Sequence, residues 1–212
     1  MKQDAAHRPY QVWLHTLGTA QAEDRLIFEE LDELYNVACW RSRDGSLVFI
    51  EAESKETTEV RFVPTVTPDA PPTLVRGREF GVRYDIDSHA PSGSLLLTSN
   101  VDGLRNRQIY VAPLSTPFEW ARLVDTAGAP VLPHSAERSL DRLAAFDGFI
   151  AVSGREGGFT QVWTAPINVT YIRYIPLHTS RREAVAHVTG LDRADHLHGW
   201  PQGLGRGASH RL

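Results

Sequence analysis

The stretch Asp44-Gly45-Ser46-Leu47-Val48-Phe49-Ile50-Glu51-Ala52-Glu53 decides the fold. It begins with a tight-turn dipeptide and continues into a short apolar run, which is typical of a hairpin that leads into a buried strand. Ser92-Gly93 stands in the same place before Leu95, and Asp147-Gly148 stands there before Phe149. The strands that begin at these positions are 48 and 54 residues apart, so the pattern is a repeat.

A repeat of this length indicates a β-propeller, because propeller blades have four strands in about 40–50 residues. Strands are also predicted elsewhere, since Val82, Tyr84 and Ile86 alternate with charged residues. Prolines cluster between the repeats, and helical periodicity is scarce. We predict an all-β fold, a partial propeller of about three to four four-stranded blades. A β-sandwich, which also has many short strands, is the alternative.

The composition argues against several classes of protein. The 212 residues include 22 basic and 26 acidic side chains with no basic stripe, so we expect no nucleic-acid partner. Cys39 is the one cysteine, which excludes a disulfide within the chain. Residues 1–15 lack the apolar run of a signal peptide, and no segment approaches the roughly 18 apolar residues of a membrane helix. We therefore expect a cytoplasmic protein without a membrane partner.

Motifs for hydrolase or dinucleotide chemistry are missing from the sequence. A serine hydrolase of the α/β type needs G-x-S-x-G, and neither Ser153 nor Ser209 has both glycines. The segment from Gly203 to Ala208 matches a relaxed dinucleotide fingerprint, but it lacks the helix that must follow. We predict no catalytic residue, no cofactor-binding residue and no cofactor.

The C-terminal histidines are the only candidate metal ligands. His196 and His198 could face the same way on a strand, but a metal site needs three or four placed ligands. We interpret them as exposed tail residues and predict no metal site. Cys39 lies in a predicted strand without an evident activating base, so we interpret it as a small core residue.

Aromatic and acidic clusters have plain structural interpretations. Trp13, Trp40, Trp120 and Trp163 lie in predicted strands or at their ends, so we assign them to core or inter-blade packing rather than to a sugar-binding face. The acidic run from Glu29 to Glu33 is interpreted as a solvated loop. An acidic rim that attracts basic peptides is the alternative for this run.

Several segments resemble oligopeptidase B and the wider prolyl oligopeptidase family. The most specific segment is RPYQVWLHTLGT, residues 8–19, in which His15-x-Leu17-Gly18-Thr19 is followed by Glu23-Asp24. Thr57–Arg61 and Gly158–Val162 resemble later strand pairs of the same proteins, in the same order. The resemblance covers about residues 8–177.

The resemblance implies part of a seven-bladed propeller that covers an α/β-hydrolase domain and admits only short peptides, which are cleaved after basic residues. The catalytic serine, aspartate and histidine of the family belong to the hydrolase domain, and no position here matches them. We therefore expect a non-catalytic propeller portion whose partners are short peptides and a hydrolase domain, in cis or in trans. A stand-alone propeller that serves as a protein-interaction scaffold is the alternative.

The resemblance also sets the domain boundaries that we expect. Residues 8–177 are predicted to form the partial propeller, and residues 178–212 a disordered tail, because they are rich in Gly and His and carry no strand pattern. A truncated gene product, a frameshifted reading frame and a split protein would all give this pattern.

Overall fold

The computed structural model describes residues 1–167 and the backbone of residues 173–175. The predicted tail, 178–212, lies outside the described residues, and so do Ser209, the C-terminal histidines and the segment from Gly203 to Ala208. The described strands form four antiparallel sheets, numbered here along the chain.

The first sheet has three strands and the other three have four each. Sheet 1 contains β1 (Lys2–Gln3), β2 (Pro9–Leu14) and β3 (Arg25–Glu29). Sheet 2 contains β4 (Asn36–Arg41), β5 (Leu47–Glu53), β6 (Thr58–Pro64) and β7 (Thr73–Leu74). Sheet 3 contains β8 (Tyr84–His89), β9 (Ser94–Ser99), β10 (Gln108–Pro113) and β11 (Ala121–Arg122). Sheet 4 contains β12 (Arg138–Ala145), β13 (Phe149–Glu156), β14 (Phe159–Pro166) and β15 (Arg173–Ile175).

The sequence repeat corresponds to the blades of a propeller. In each four-stranded sheet the strands are neighbours in chain order, and Leu47, Leu95 and Phe149 all lie in the second strand. Gly45 and Gly93, at the turns before the first two of these strands, have φ angles of +75° and +61°, which glycine adopts without strain. The predicted partial propeller and the equivalence of these strands are both confirmed.

Each middle blade buries side chains on both faces. In β5, Phe49 packs into the cluster between sheets 2 and 3, whereas the next residue, Ile50, packs between sheets 1 and 2. In β9, Leu97 faces sheet 2, whereas Leu96 faces sheet 4. Successive side chains of a strand point to opposite faces, so a continuous apolar run is what a doubly covered strand requires. Burying each such side chain contributes about 1.5–3 kcal/mol.

The outward face of sheet 1 carries exposed apolar side chains. Trp13 and Leu26 pair across β2 and β3 and are 37% and 40% exposed. The Trp13 indole N–H donates to Gln11 Oε1 (3.0 Å), and the Gln11 amide donates to Glu29 Oε1 (2.6 Å). The assignment of Trp13 to the core was therefore wrong, because no described sheet covers this face. Trp163 is buried, and Trp40 and Trp120 are half-buried against the cluster between sheets 2 and 3.

Cys39 is exposed, so its interpretation as a core residue was wrong. It lies on the same side of β4 as Val37, and Val37 packs towards sheet 1. Sheet 1 has three strands, one of them the two-residue β1, whereas each of the following sheets has four.

The acidic run is not uniformly solvated. Glu30 is buried, and its carboxylate forms an ion pair with Arg78, whose guanidinium also lies 3.5 Å from Glu59. The Arg78 guanidinium stacks over the Tyr35 ring at 3.8 Å. A buried charge must be paired, and here the partner comes from the segment that follows β7. The solvated-loop interpretation holds for the exposed Leu31, Asp32 and Glu33, but not for Glu30 or for Glu29, which is exposed but lies in β3.

Regular helix does not occur in the described residues. Three short 3₁₀ turns lie at Gln21–Glu23, Ala90–Ser92 and Val101–Gly103. Among the same residues, no helix has the length and apolar character needed to cross a bilayer.

We predict that the purified chain self-associates through the outward face of sheet 1, because this buries the exposed apolar side chains of Trp13 and Leu26. We expect species larger than the monomer in size-exclusion chromatography with light scattering. Leu26→Ser should shift the distribution towards monomer, whereas Leu17→Ser should not, since Leu17 is 92% exposed at the tip of the β2–β3 connection. A sharp monomeric peak for the unmodified chain, or equal effects of the two substitutions, would contradict this prediction.

Candidate functional site

The first strands β8 and β12 of neighbouring blades lie against each other, and we assign the first strands β4, β8 and β12 to the inner edge of the blades, around the central channel of a propeller. The inner edge of such a strand carries backbone N–H groups without a ladder partner. Two aspartates of β8 satisfy these groups on β12. Asp85 Oδ2 accepts from the Leu143 N–H at 2.7 Å, and Asp87 Oδ2 accepts from the Ala145 N–H at 2.9 Å.

The spacing of the two aspartates matches the spacing of the two N–H groups. Residues two apart in a strand lie on the same side, and so do the edge N–H groups two residues apart. Each aspartate is 58 residues before its partner in the sequence, so the two bonds keep the same register. Alternating charged residues in β8 therefore fix the position of the next blade along the chain.

Asp87 joins three consecutive blades. Its Oδ1 accepts from the N–H of Arg43 in the turn after β4 (3.0 Å) and from the Ser88 N–H (2.9 Å), while Oδ2 accepts from Ala145. The side chain is buried, and this burial raises the pKa of its carboxyl group, although the three N–H donors oppose the rise. Buried polar groups are costly unless bonded, which makes these three donors essential to the blade arrangement.

Sheet 3 is bonded to sheet 2 by other side chains. The Tyr84 hydroxyl accepts from the Val60 N–H at 2.7 Å, and the Arg83 guanidinium forms an ion pair with Glu53. Burial is the main cause that raises the pKa of the Tyr84 hydroxyl, so it stays protonated at physiological pH. Polar contacts from β8 and the residue before it thus join sheet 3 to β5 and β6 of sheet 2, beside the apolar cluster between these sheets.

Charged side chains gather around this junction of sheets 2, 3 and 4. Burial, assisted by Glu53 and Asp85, raises the pKa of Glu51 to about 7. Burial raises the pKa of Asp85 to about 6 against the opposing Leu143 hydrogen bond. Burial also lowers the pKa of Arg107, whose guanidinium donates to the Asp141 carbonyl oxygen at 2.6 Å. The cluster contains both signs of charge, and Asp85 and Arg107 both bond backbone groups of β12.

The residues considered as nucleophiles do not form a reactive site. Ser153 lies in β13 in register with Val162 and Arg142, within the sheet ladder. The exposed Cys39 pairs with Ile50 across the β4–β5 ladder. Within the described part of the chain, no group of three or more His, Cys, Asp or Glu side chains could hold a metal ion.

Comparison with known protein families assigns this sequence and fold to a family. Residues 1–187 match the model of the N-terminal β-propeller domain of prolyl oligopeptidase. The chain belongs to the prolyl oligopeptidase N-terminal propeller family. The chain is 32% identical over 160 residues to Protease 2 of Moraxella lacunata, covering 76% of this chain and 22% of that protein. It is 31% identical over 147 residues to dipeptidyl aminopeptidase BI of Pseudoxanthomonas mexicana, covering 68% of this chain and 19% of that protein.

Solved structures agree with this family assignment. Oligopeptidase B from Trypanosoma brucei, with covalently bound antipain, superposes with a TM-score of 0.74 at 29% identity, covering 84% of this chain and 25% of that one. Oligopeptidase B from Leishmania major gives the same TM-score and coverage at 27% identity. The chain thus spans about a quarter or less of the length of these relatives.

The prolyl oligopeptidase motif His15-x-Leu17-Gly18-Thr19 closes the β2–β3 connection. His15 Nδ1 lies 2.6 Å from Asp24 Oδ1, and Thr19 Oγ1 donates to the Thr16 carbonyl oxygen at 2.8 Å. Gly18 has φ +93°, which a side chain would strain. β2 ends at Leu14, immediately before the motif. Its role in this chain is therefore structural.

Replacing Asp87 tests the bonds between inner strands. Asp87→Asn puts N–H donors against backbone donors, so we expect the free energy of unfolding to fall by about 2–4 kcal/mol. Asp69→Asn removes an exposed carboxylate and should change stability by no more than about 0.5 kcal/mol. Urea denaturation followed by tryptophan fluorescence, at matched protein concentrations, compares the two. Equal midpoints for Asp87→Asn and the unmodified chain would show that these bonds do not hold the blades together.

The raised pKa of Glu51 predicts a pH dependence. Between about pH 4.5 and pH 7 the folded chain keeps a proton on Glu51 that the unfolded chain has lost, so stability falls as pH rises through this window. Glu51→Gln should match the unmodified chain near pH 4 and be more stable at pH 8. At about 1.4 kcal/mol per pKa unit, a gain on the order of 1–3 kcal/mol is expected.

Glu56→Gln is the matched control, because Glu56 is exposed in the β5–β6 turn. Urea midpoints measured from pH 4 to pH 8 should separate the two variants increasingly between about pH 4.5 and pH 7, and the separation should level off above pH 7. Parallel curves for Glu51→Gln and the unmodified chain would rule out a buried, proton-holding Glu51.

Proposed function

We propose that the chain is the non-catalytic propeller portion of an oligopeptidase B-like serine endopeptidase. In this role it limits access, so that short peptides reach a separate α/β-hydrolase domain and are cut after basic residues. The hydrolase domain and the short peptides are the proposed partners. A cytoplasmic setting, favoured by the sequence, belongs to the same proposal, and fractionation of the source cells tests it.

The observation that carries the proposal is the agreement of fold and sequence with oligopeptidase B. The superposition has a TM-score of 0.74 at 29% identity and covers 84% of the chain. It therefore extends across the four sheets and is not limited to a single repeat, which any propeller would share. The family model covers the same region. Propellers serve many functions, so the sequence likeness adds what the fold alone does not carry.

The inner strands give the proposed role a physical basis. A wall that excludes large substrates must keep its shape, and Asp85, Asp87 and Tyr84 bond neighbouring blades directly. The two aspartates bond backbone N–H groups on the edge of β12, which would otherwise be open to pairing with an extended chain. The described residues therefore supply a shaped wall, and the proposed hydrolase domain supplies the chemistry.

A stand-alone scaffold is the second candidate function. It rests on the propeller fold, which serves many functions and can act through binding alone. The two candidates differ in their partner, which is a hydrolase domain in one and an unrelated protein in the other.

An affinity-tagged chain recovered from its own cells discriminates the two functions. We expect the purified chain alone to leave an arginine-containing fluorogenic peptide uncut and to resist a serine-reactive probe. The material recovered from cells should contain a G-x-S-x-G hydrolase domain, take up the probe and cut the peptide. Recovery of a stable partner without such a domain would favour the scaffold, and hydrolysis by the purified chain alone would overturn both.

A further inference from the structure

A cleft of about 510 Å³ opens between the segment before β8 and the turn after β9. This volume lies within the range of about 300–1,000 Å³ that is usual for small-molecule sites. The cleft lies away from the inner-strand contacts between sheets 3 and 4, which are made by Asp85 and Asp87. Its lining includes Arg76, Glu79, Phe80, Val82, Asp102 and Arg105.

The two walls of the cleft are tied together at its base. The Asn100 side-chain amide donates to the Gly81 carbonyl oxygen at 2.7 Å, and its Oδ1 accepts from the Arg83 N–H at 2.6 Å. Gly81 and Asp102, one on each wall, have φ angles of +82° and +64°. Because these bonds set the width of the opening, a ligand would not have to order the walls on binding.

Most of the charge in the cleft is already compensated. The Arg76 guanidinium lies 3.0 Å from Glu79 and stacks over the Trp120 ring at 4.8 Å. The Asp102 carboxylate accepts from the Tyr110 hydroxyl at 3.2 Å. The exposed Arg105 guanidinium has no hydrogen bond or ion pair within the described residues. One cation is therefore available for a ligand.

Apolar surface lies beside this cation. Val82 and Val101 are buried and form part of the cleft lining. The Phe80 side chain is 86% exposed and lines the same cleft. A large exposed aromatic side chain next to a pre-formed opening offers stacking area at low entropic cost.

We propose that this cleft binds the C-terminal carboxylate of a peptide whose last side chain is apolar. Arg105 donates to the carboxylate, and the last side chain packs against Phe80 and the valines. The lining holds Arg76 and Arg105 together with Glu79 and Asp102, so it has no net formal charge and suits a single carboxylate better than phosphate. The proposal does not depend on a hydrolase domain.

Saturation-transfer NMR on the full 212-residue chain tests the proposal, because it observes the ligand and tolerates self-association. The probes are N-acetyl-phenylalanine and its uncharged C-terminal amide. We expect saturable transfer to the acid and binding of the amide about three- to tenfold weaker, since an exposed charge-assisted bond is modest. Inorganic phosphate at the same ionic strength should not displace the acid.

Three variants, checked for folding by circular dichroism, locate the binding. Arg105→Gln should abolish the preference for the acid, and Phe80→Ser should weaken both probes. Arg25→Gln removes an exposed arginine of β3 and should change neither. Equal binding of acid and amide, no effect of Arg105→Gln, an equal effect of Arg25→Gln, or displacement by phosphate would each overturn the proposal.

Discussion

The blade arrangement depends on the carboxylate of Asp87, which accepts hydrogen bonds from backbone N–H groups of three consecutive blades. Arg43 belongs to the turn after β4, Ser88 to β8 and Ala145 to β12. A buried carboxylate is tolerated only where its oxygens are bonded, so the position of each blade is tied to the position of the other two. Asp85, two residues before Asp87 in β8, accepts a similar hydrogen bond from the Leu143 N–H of β12.

Apolar burial supplies the stability, and the polar bonds supply the register. The clusters between sheets consist of aliphatic and aromatic side chains, whose hydrophobic attraction has no preferred direction. Sheet 4 cannot shift relative to sheet 3 without breaking the hydrogen bonds from its edge N–H groups to Asp85 and Asp87. This division of roles explains how a wall built of separate sheets keeps one shape, which the proposed access-limiting function requires.

The sequence predicted the repeat well, because turn glycines and doubly buried strands leave strong local signals. Leu47, Leu95 and Phe149 lie in equivalent strands as expected. The alternation around Val82 was interpreted only as a strand, although two of its alternating charged residues, Asp85 and Asp87, bond the next blade. That contact joins residues 58 positions apart, and nothing local marks it.

The exposure of Cys39 and the burial of Glu30 were missed for a related physical reason. Cys39 has the small, apolar character of a core residue, but its exposure depends on how much of sheet 1 lies opposite it. Glu30 is buried because Arg78, from the segment after β7, reaches it. Residue type predicts which side chains can be buried, and only the packing of neighbouring sheets decides which are.

Amide hydrogen exchange at β12 tests the central claim most directly. The N–H groups of Leu143 and Ala145 lie on the inner edge, where an unpaired strand exchanges quickly. If the aspartates hold the blades, both amides should exchange as slowly as those within the β12–β13 ladder, and Asp87→Asn should accelerate Ala145 strongly. Rapid exchange of both amides in the unmodified chain would contradict the account.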